Sequence, residues 1–366
     1  MGLSKVPDGP LRDGFTTGTS ATAAVKAALV SIIEQKKQSK VNVHLPIDKI
    51  LEICIHSNEF TNNWAKCSVI KDAGDDPDVT NGAEVGCEIQ LTESKEIEFV
   101  GGEGVGTVTL TGLELSVGEP AINPVPRKMM TSAVQKLLHN FDMECGLVIS
   151  IFVTNGKALA KRTLNERVGI LNGLSILGTS GIVKPYSSSS YIASIEQGID
   201  VAVANGIKEV VINSGARSEK YLRQLFPNLT EQSFIHFGNW IGETLQKIST
   251  SKIEKATIGI MLGKAVKLAY GRTDTHSCVS SWNKEFVVSV SEECGYDSKT
   301  SKKIFELNMA GRLTEIFPFN NDEIFYQKLL EKCYFQSKKI INKVELDVYL
   351  IGKSGEYIKY KNNDSR

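Results

Sequence analysis

Val69-Ile-Lys-Asp-Ala-Gly-Asp-Asp-Pro-Asp-Val-Thr-Asn-Gly-Ala-Glu-Val85 is the stretch around which this chain is organised. Like charges placed this close raise one another's pKa unless a cation or a run of N–H groups compensates them. Gly74 and Pro77 predict a turn that brings the carboxylates together, and the Asn81-Gly82 pair predicts a second turn. A solvated acidic turn does not require these turn-forming residues, so we favour a functional site. The carboxylates of the loop belong to Asp72, Asp75, Asp76 and Asp78.

The residues on either side of this loop predict the first of two domains. The loop lies between the predicted strands Ala65–Ile70 and Glu84–Leu91. Strands predominate in this half, which favours an α+β domain over residues 1–186. The glycine-rich run 101–106 leads into a strand and not into a helix, so the usual dinucleotide-type signature is absent. Further predicted strands are Ile50–Ile55, Ile97–Val100, Thr107–Leu110 and Gly146–Thr154.

Helices and strands alternate in the second half of the chain. This alternation predicts an α/β domain over residues 187–366, with a parallel sheet of about four strands. The Ser-rich run Lys184–Ser190 has the composition of a linker, so we expect the domain boundary there. The predicted strands are Glu209–Asn213, Phe234–Phe237, Ala256–Leu262 and Val344–Ile351, and the predicted helices include Tyr191–Ala204, Ser218–Phe226 and Trp240–Ile248.

Composition excludes several classes of protein. The 42 basic residues balance the 42 acidic ones, so no overall field favours nucleic acid or an anionic membrane. Residues 1–10 lack the apolar core of a signal peptide, and no apolar run is long enough to span a bilayer. We therefore expect a cytoplasmic protein with no membrane or nucleic-acid partner. The seven cysteines and five histidines show no metal-ligand spacing, so no metal site is predicted.

Two segments of the first half have the character of anion-binding sites. Residues Thr16, Thr17, Gly18 and Thr19 precede a predicted helix at Ser20–Ile33, with Thr19 or Ser20 as its N-cap. A Thr/Gly loop at a helix start offers N–H groups, hydroxyls and a positive dipole to an anion, although a plain capped helix explains it equally well. Three prolines make Gly118–Pro126 a rigid loop that delivers Arg127 and Lys128 to a helix start, where two cations favour an anion or are simply solvated.

The chain contains four long motifs: KDAGDDPDVTNGAEV, Arg12-Asp-Gly-Phe-Thr-Thr-Gly-Thr19, Gly118-Glu-Pro-Ala-Ile-Asn-Pro-Val-Pro-Arg127 and Gly178-Thr-Ser-Gly-Ile-Val183. Together they closely resemble the CbiD family, the cobalt-precorrin-5B C1-methyltransferases of anaerobic cobalamin synthesis. The similarity runs from about Arg12 to the last predicted strand near Gly352. The four motifs occur along the chain in the family's order.

The resemblance implies that the chain is an enzyme that transfers methyl from S-adenosylmethionine to C1 of cobalt-precorrin-5B, giving cobalt-precorrin-6A. Cobalt then enters only as part of the substrate, and hand-over of the product to other enzymes of the pathway is a further expectation. Charge-assisted bonds would position the substrate's many carboxylates, so we assign its binding to Thr16–Thr19, Arg127, Lys128, Arg162 and Lys184. Carboxylates near a sulfonium help to bind it, and one with a raised pKa accepts a proton, so Asp75, Asp76 and Asp72 are the expected catalytic residues.

Small polar residues follow three predicted strands of the second half. Ligands of open parallel sheets bind beyond the carboxyl ends of the strands, where the connection direction switches. We therefore place S-adenosylmethionine at this edge, although single glycines after strands are common. His276 is either a general base or a hydrogen-bonded structural histidine. The residues predicted to bind the cofactor are Asn213, Ser214, Gly215, Gly238, Asn239, Gly263 and Lys264.

Two other functions fit parts of the same pattern. In a Mg²⁺-dependent phosphotransferase, the aspartate loop would hold the metal and Thr16–Thr19 would cradle a phosphate, although the chain lacks a P-loop motif. A non-catalytic tetrapyrrole carrier would use the basic residues only to hold its ligand. Titration with S-adenosylmethionine, nucleotide plus Mg²⁺, or tetrapyrrole separates these functions.

Overall fold

The computed structural model describes residues 9–276 and 282–361 as two compact units. The N-terminal unit ends at Ser188 and the C-terminal unit begins at Ser189. Both mix helices with sheets, which confirms the mixed α and β class predicted from the sequence. Elements of the N-terminal unit are β1 (Gly14–Phe15), α1 (Thr17–Glu34), β2 (Lys40–His44), β3 (Ile50–Cys54), β4 (Ser57–Phe60), β5 (Trp64–Ile70), β6 (Glu84–Thr92), β7 (Ile97–Gly101), β8 (Thr107–Val108), α2 (Pro124–Asn140), β9 (Gly146–Val153), α3 (Gly156–Ala160), β10 (Ile170–Leu171) and β11 (Ile182–Val183).

The main sheet of the N-terminal unit has the order β4-β5-β6-β9-β7. Its pairs are antiparallel except β7 with β9, which run parallel. Alternate residues of β6 and β9 are buried, as the period of two along a strand requires when one face covers a core. Helix α1 packs against β5, β6 and α2. Its alanines are fully buried, and their small side chains let the helix lie close to the sheet: Ala21, Ala23, Ala24, Ala27 and Ala28.

Two expectations about helix starts in this unit are wrong. Thr16 is the N-cap of α1, its hydroxyl accepting from the Thr19 N–H, so neither Thr19 nor Ser20 caps the helix. Helix α2 begins at Pro124, so the end of the proline-rich stretch is helical. Proline is tolerated in the first turn because the N–H that it lacks would have no intrahelical acceptor.

The C-terminal unit is built on one sheet with the order β13-β12-β14-β15-β16. The first four of these strands run parallel, and β16 is antiparallel to β15. Its elements are α4 (Ser188–Ala204, counted here although its first residue precedes the boundary), β12 (Glu209–Asn213), α5 (Ala216–Leu225), β13 (Phe234–His236), α6 (Ile241–Ser249), β14 (Lys255–Met261), α7 (Leu262–Ala269), α8 (Lys284–Glu293), α9 (Ser298–Glu306), α10 (Ile324–Lys338), β15 (Glu345–Ile351) and β16 (Tyr357–Lys359).

The two faces of this sheet carry different helices. Val210 and Ile212 of β12 join the large core formed with α4, α6, α7 and α10. Val211 faces the other way and packs with Leu222 of α5. Helix α5 lies close to β14 at Gly259, where the lack of a side chain makes room for Leu222. A Cβ at this position would come within 2.3 Å of the Leu222 side chain. The sheet is thus covered by helices on both faces.

Some local expectations for this unit differ from the structure. Helix α4 begins at Ser188, so the second half of the expected linker is helical. Helix α7 and strand β16 were not predicted. Ser277 and Cys278, which follow His276, lie outside the described residues. Within the described ranges, no helix combines the length and apolar character needed to cross a lipid bilayer.

Candidate active site

The aspartate loop is anchored from below by a buried lysine. The Nζ of Lys71 lies 2.8 Å from Oδ2 of Asp78, and the Lys71 side chain is only 1% exposed. The N–H and hydroxyl of Thr80 donate to the other carboxylate oxygen, at 2.8 and 2.7 Å. Burial alone would raise the pKa of Asp78, but the charge and hydrogen bond of Lys71 and the bonds from Thr80 outweigh it and lower that pKa. Asp78 is therefore a structural carboxylate.

Arg12 holds the other end of the loop. Its guanidinium binds both carboxylate oxygens of Asp72, with NH2 to Oδ1 at 2.9 Å, and this hydrogen bonding lowers the pKa of Asp72. The backbone N–H of Arg12 donates to Oδ2 of Asp75 at 2.6 Å, and the N–H of Asp75 donates to the Arg12 carbonyl. Asp72 and Asp75 are therefore both bound by one arginine.

Asp76 differs from its neighbours. Its carboxylate is half-buried and accepts a hydrogen bond of 2.8 Å from the Tyr186 N–H. Burial and the nearby charge of Asp78 raise its pKa, against the lowering effects of that hydrogen bond and of Lys71. A carboxylate with a raised pKa holds a proton more readily than an ordinary aspartate. Among the four aspartates of the loop, Asp76 therefore has the electrostatics expected of a proton acceptor.

The start of α1 is buried, and its polar groups bind within the protein. The N–H of Gly18 donates to the Leu177 carbonyl at 3.0 Å, and the Thr19 hydroxyl donates to the Gly181 carbonyl at 2.8 Å. The hydroxyl of Thr17 accepts from the Leu177 N–H at 3.0 Å. The expectation that this helix start offers unpaired N–H groups is therefore wrong for Gly18 and Thr19. Their contact with substrate stays a prediction.

The predicted substrate-binding cations fall into two groups. Arg127 is bound by its own loop: Nε donates to the Ile122 carbonyl at 2.7 Å, and the two terminal nitrogens reach the Pro120 carbonyl and Glu119, each at 3.2 Å. The others are exposed and have no protein partner within the described part of the chain: Lys128, Arg162 and Lys184. These three cations are free to meet carboxylates of a ligand.

The predicted cofactor residues lie at the carboxyl ends of β12, β13 and β14, which share one edge of the parallel sheet. Asn213 is fully buried, and its Oδ1 accepts from the Gly215 N–H at 3.0 Å, so it shapes the loop before α5. Lys264 donates to the Gly238 carbonyl and, at 2.9 Å, to Oδ1 of Asn239. The structure thus places Asn239 and Lys264 in direct contact.

Lys264, at this edge, has a lowered pKa. Burial, joined by repulsion from Lys267, lowers its pKa to about 8, against the opposing attraction of Asp274. The backbone N–H of His276 donates to the Asp274 carboxylate at 2.8 Å. Among residues 9–276 and 282–361, no group of three or more His, Cys, Asp and Glu side chains is arranged to hold a metal ion.

Comparison with known proteins identifies the family. The CbiD family model matches residues 4–185, and the model described as "CbiD, C-terminal domain" matches residues 274–361. A protein of Prosthecochloris aestuarii named cobalt-precorrin-5B C(1)-methyltransferase is 42% identical over 329 residues, which cover 89% of this chain and 89% of that relative. This chain belongs to the CbiD family.

Other CbiD proteins extend the match. A protein of Priestia megaterium with the same name is 38% identical over 97% of this chain and 98% of its own length. The crystal structure of a cobalamin biosynthesis protein (cbiD) from Archaeoglobus fulgidus is 32% identical, covers 73% of this chain and 83% of that chain, and has a TM-score of 0.40.

Three notable residues of this CbiD chain were missed by the sequence reasoning. Lys71 was given no role from the sequence, although it forms an ion pair with Asp78 seven residues later. Tyr186 was treated as the end of a domain, yet its N–H binds Asp76. Glu243, in the first turn of α6, has a buried oxygen Oε2 with no hydrogen-bond partner among the described residues. An acidic residue just inside a predicted helix start was the available signal for Glu243.

Proposed function

We propose that this chain transfers a methyl group from S-adenosylmethionine to C1 of cobalt-precorrin-5B, giving cobalt-precorrin-6A in cobalamin biosynthesis. The observation that carries the proposal is the 42% identity, over 89% of both chains, with a relative that bears the name of this activity. Cobalt belongs to the substrate. We place the reaction in the cytoplasm, because seven cysteines without paired spacing are typical of a reducing compartment. Product would pass from here to later enzymes of the pathway.

Exposed cations of the N-terminal unit suit the substrate's carboxylates. Lys128, Arg162 and Lys184 are exposed and have no protein partner within the described residues. Charge-assisted hydrogen bonds to such groups position a polycarboxylate. Arg127 would support substrate binding indirectly, because its hydrogen bonds fix the loop that precedes Lys128. Residues Thr16–Thr19 would support the same surface through the buried start of α1.

Asp76 is the group that we propose to accept a proton from the substrate. Its half-buried carboxylate and raised pKa favour proton uptake, and its hydrogen bond to the Tyr186 N–H fixes the direction of one oxygen. Asp75 and Asp72 orient the loop through Arg12 and add negative charge that favours a cationic donor. The charge on Arg12 tempers this effect for Asp72 in particular.

Residues at the carboxyl edge of the C-terminal sheet fit S-adenosylmethionine. This edge combines a lysine able to bind a carboxylate with glycines at positions 215 and 263, where an added Cβ would meet no atom within 4 Å. The same edge also carries Asn213, Ser214, Gly238 and Asn239, at or just after the ends of β12 and β13. When bound, S-adenosylmethionine supplies a methyl group on a sulfonium, an electrophile that needs alignment and exclusion of water more than covalent help from the enzyme.

The direct test is methyl transfer. The full chain is incubated with cobalt-precorrin-5B and S-adenosylmethionine labelled in its methyl group, without oxygen. We expect one labelled methyl group per tetrapyrrole, with an equal amount of S-adenosylhomocysteine. Tetrapyrrole binding with no methyl transfer would support the carrier, and binding of ATP with Mg²⁺ in place of S-adenosylmethionine would support the phosphotransferase. Either result would overturn the proposal.

A further inference from the structure

The strand order creates one crevice at the carboxyl edge of the C-terminal sheet. Strand β12 lies between β13 and β14. The chain passes from β12 through α5 to β13 on one side, and from β14 towards β15 on the other. Connections that leave neighbouring strands in opposite directions open a crevice at their carboxyl ends. In this sheet the crevice lies at the ends of β12 and β14.

Lys264 joins two segments at this edge of the sheet. It lies in the first turn of α7, directly after β14, yet its ammonium donates to the Gly238 carbonyl and to Asn239, which follow β13. The lysine thus links α7 to the loop after β13, although β12 separates β13 from β14 in the sheet. Its Nζ also lies 5.6 Å from the centre of the Phe237 ring. The lysine therefore lies at the carboxyl edge of the sheet, where the connections after β12 and β14 leave in opposite directions.

The charge of Lys264 is not neutralised by the groups that hold it. An ammonium has three N–H donors, and two of them meet uncharged acceptors. The third has no partner among residues 9–276 and 282–361. Lys267, one turn along α7, adds a second positive charge and donates to the Thr275 carbonyl at 3.0 Å, while Asp274 is the carboxylate that acts on Lys264. A part-buried cation in this position is stabilised by an added anion.

The start of α7 also favours an anion. It contains no acidic residue in its first turn, so the positive end of its dipole is uncompensated, and Lys264 adds to the same potential. Gly263 beside it and Gly215 after β12 leave open space where other residues would carry a Cβ. A small carboxylate therefore has both room and an electrostatic reason to bind here.

We infer that Lys264 binds the carboxylate of the amino-acid end of S-adenosylmethionine, through its third N–H, at the carboxyl ends of β12 and β14. This inference rests on the proposed function and specifies which group of the donor Lys264 binds and through which of its N–H groups. The bound carboxylate favours the protonated lysine, so affinity for the donor falls as pH rises through the lysine's pKa.

The experiment uses two ligands that differ by the group in question. S-adenosylhomocysteine carries the amino-acid end, and 5′-methylthioadenosine lacks it. Calorimetry on the full chain compares wild type, Lys264→Ala and Lys264→Arg. Lys255→Ala is the matched control, because Lys255 lies at the other end of β14, where it pairs with Glu209, Glu345 and Asp347.

We expect Lys264→Ala to raise the Kd for S-adenosylhomocysteine by about tenfold or more, the scale of a charge-assisted hydrogen bond. The Kd for methylthioadenosine should change by no more than about twofold. Lys255→Ala should change neither. Equal loss for both ligands would show that Lys264 only braces the loop, and no loss would remove it from the site; either result overturns the inference alone. Failure of wild type to bind either ligand would overturn the proposed function as well.

The pH arm uses Lys264→Arg, whose guanidinium stays charged across the range. Wild type should lose affinity for S-adenosylhomocysteine between pH 7 and pH 9, around the lysine pKa of about 8, more steeply than the arginine variant does. Parallel pH profiles would contradict the inference. This comparison still applies if Lys264→Ala fails to fold.

Discussion

Lys71 and Asp78 form an ion pair beneath the aspartate loop, with 2.8 Å between Nζ and Oδ2 and with the lysine almost completely removed from solvent. Both residues belong to the same seventeen-residue stretch that opens the sequence argument. The pair therefore joins the end of β5 to the return of the loop, and it fixes the backbone that carries Asp72, Asp75 and Asp76.

Replacing Lys71 with Met should destabilise the protein by about 3 kcal/mol, the low end of the range for a broken buried pair, because the carboxylate of Asp78, which is 25% exposed, loses its cation. Lys66→Met is the matched control, since Lys66 pairs with Glu88 in the same hairpin with side chains 43% and 44% exposed. Such an exposed pair contributes about 0–1 kcal/mol. Urea unfolding measures both values, and equal losses would show that burial of the Lys71 pair adds no stability.

Acid should weaken the same anchor. The folded pKa of Asp78 is lowered below its ordinary value of 3.8. A carboxylate of this kind contributes stability that is fully present above the unfolded pKa and is lost as pH falls through the folded pKa. The stability difference between wild type and Asp78→Asn should therefore shrink between pH 5 and pH 2. A difference that stays constant over this range would contradict the assignment.

Asp76→Asn should keep the fold while turnover falls by about 10²-fold or more, the scale of a positioned acid–base group. Because the pKa of Asp76 is raised, wild-type turnover should decline on acidification at a higher pH than an ordinary aspartate would cause. Asp75→Asn is the comparison, since Asp75 is exposed and binds the Arg12 N–H. Near-wild-type turnover in both variants, with native circular dichroism, would remove the loop from the active site.

Arg127 and Lys128 are adjacent, but replacing each with alanine should affect different properties of the enzyme. Arg127→Ala loses three hydrogen bonds to its own loop and should cost about 2 kcal/mol of stability. Lys128→Ala should leave stability within about 0.5 kcal/mol but raise the KM for cobalt-precorrin-5B, with an effect that shrinks at high salt. Thermal unfolding and kinetics at two salt concentrations measure these effects. A salt-independent KM for the Lys128 variant would count against its contact with substrate.

Gly74 and Gly82 provide a test of close approach. Both have positive φ, +65° and +75°, so alanine is strained at either position. At Gly74, however, a Cβ would come within 2.1 Å of the Arg12 carbonyl oxygen, whereas at Gly82 it would meet no atom within 4 Å. Gly82→Ala should cost about 1–2 kcal/mol, the usual penalty for a left-handed backbone. Gly74→Ala should cost clearly more and reduce turnover, and equal costs would contradict this packing.

Regular elements were predictable where one face of a strand is buried, because burial leaves a period of two in the sequence. Strand β6 was expected at Glu84–Leu91 and lies at Glu84–Thr92. Helix α1 starts earlier than expected because carbonyls some 160 residues away satisfy its first turn, as Leu177 does for Gly18. No local pattern encodes such a contact. The error at α2 was avoidable, since Pro124 occupies a position where proline is common.

The candidate site was predictable as residue types but not as partnerships. The sequence indicated a carboxylate-rich loop. It could not show which aspartate binds Arg12, Lys71 or Tyr186, because two of those partners lie far away in the chain. Arg12 is 60 residues from Asp72, and Tyr186 is 110 residues from Asp76. The raised pKa of Asp76 depends on burial by such distant segments.

The lengths of the outermost strands in the C-terminal sheet bear on how the protein behaves at high concentration. Each edge of the sheet is formed by a strand of three residues, β13 on one side and β16 on the other. Unpaired edge strands are templates for pairing with other chains, and short or charged edges blunt that tendency. Lys359, at the end of β16, places a charge on one of them. The sheet therefore offers little surface for edge-to-edge aggregation when the enzyme is concentrated for binding studies.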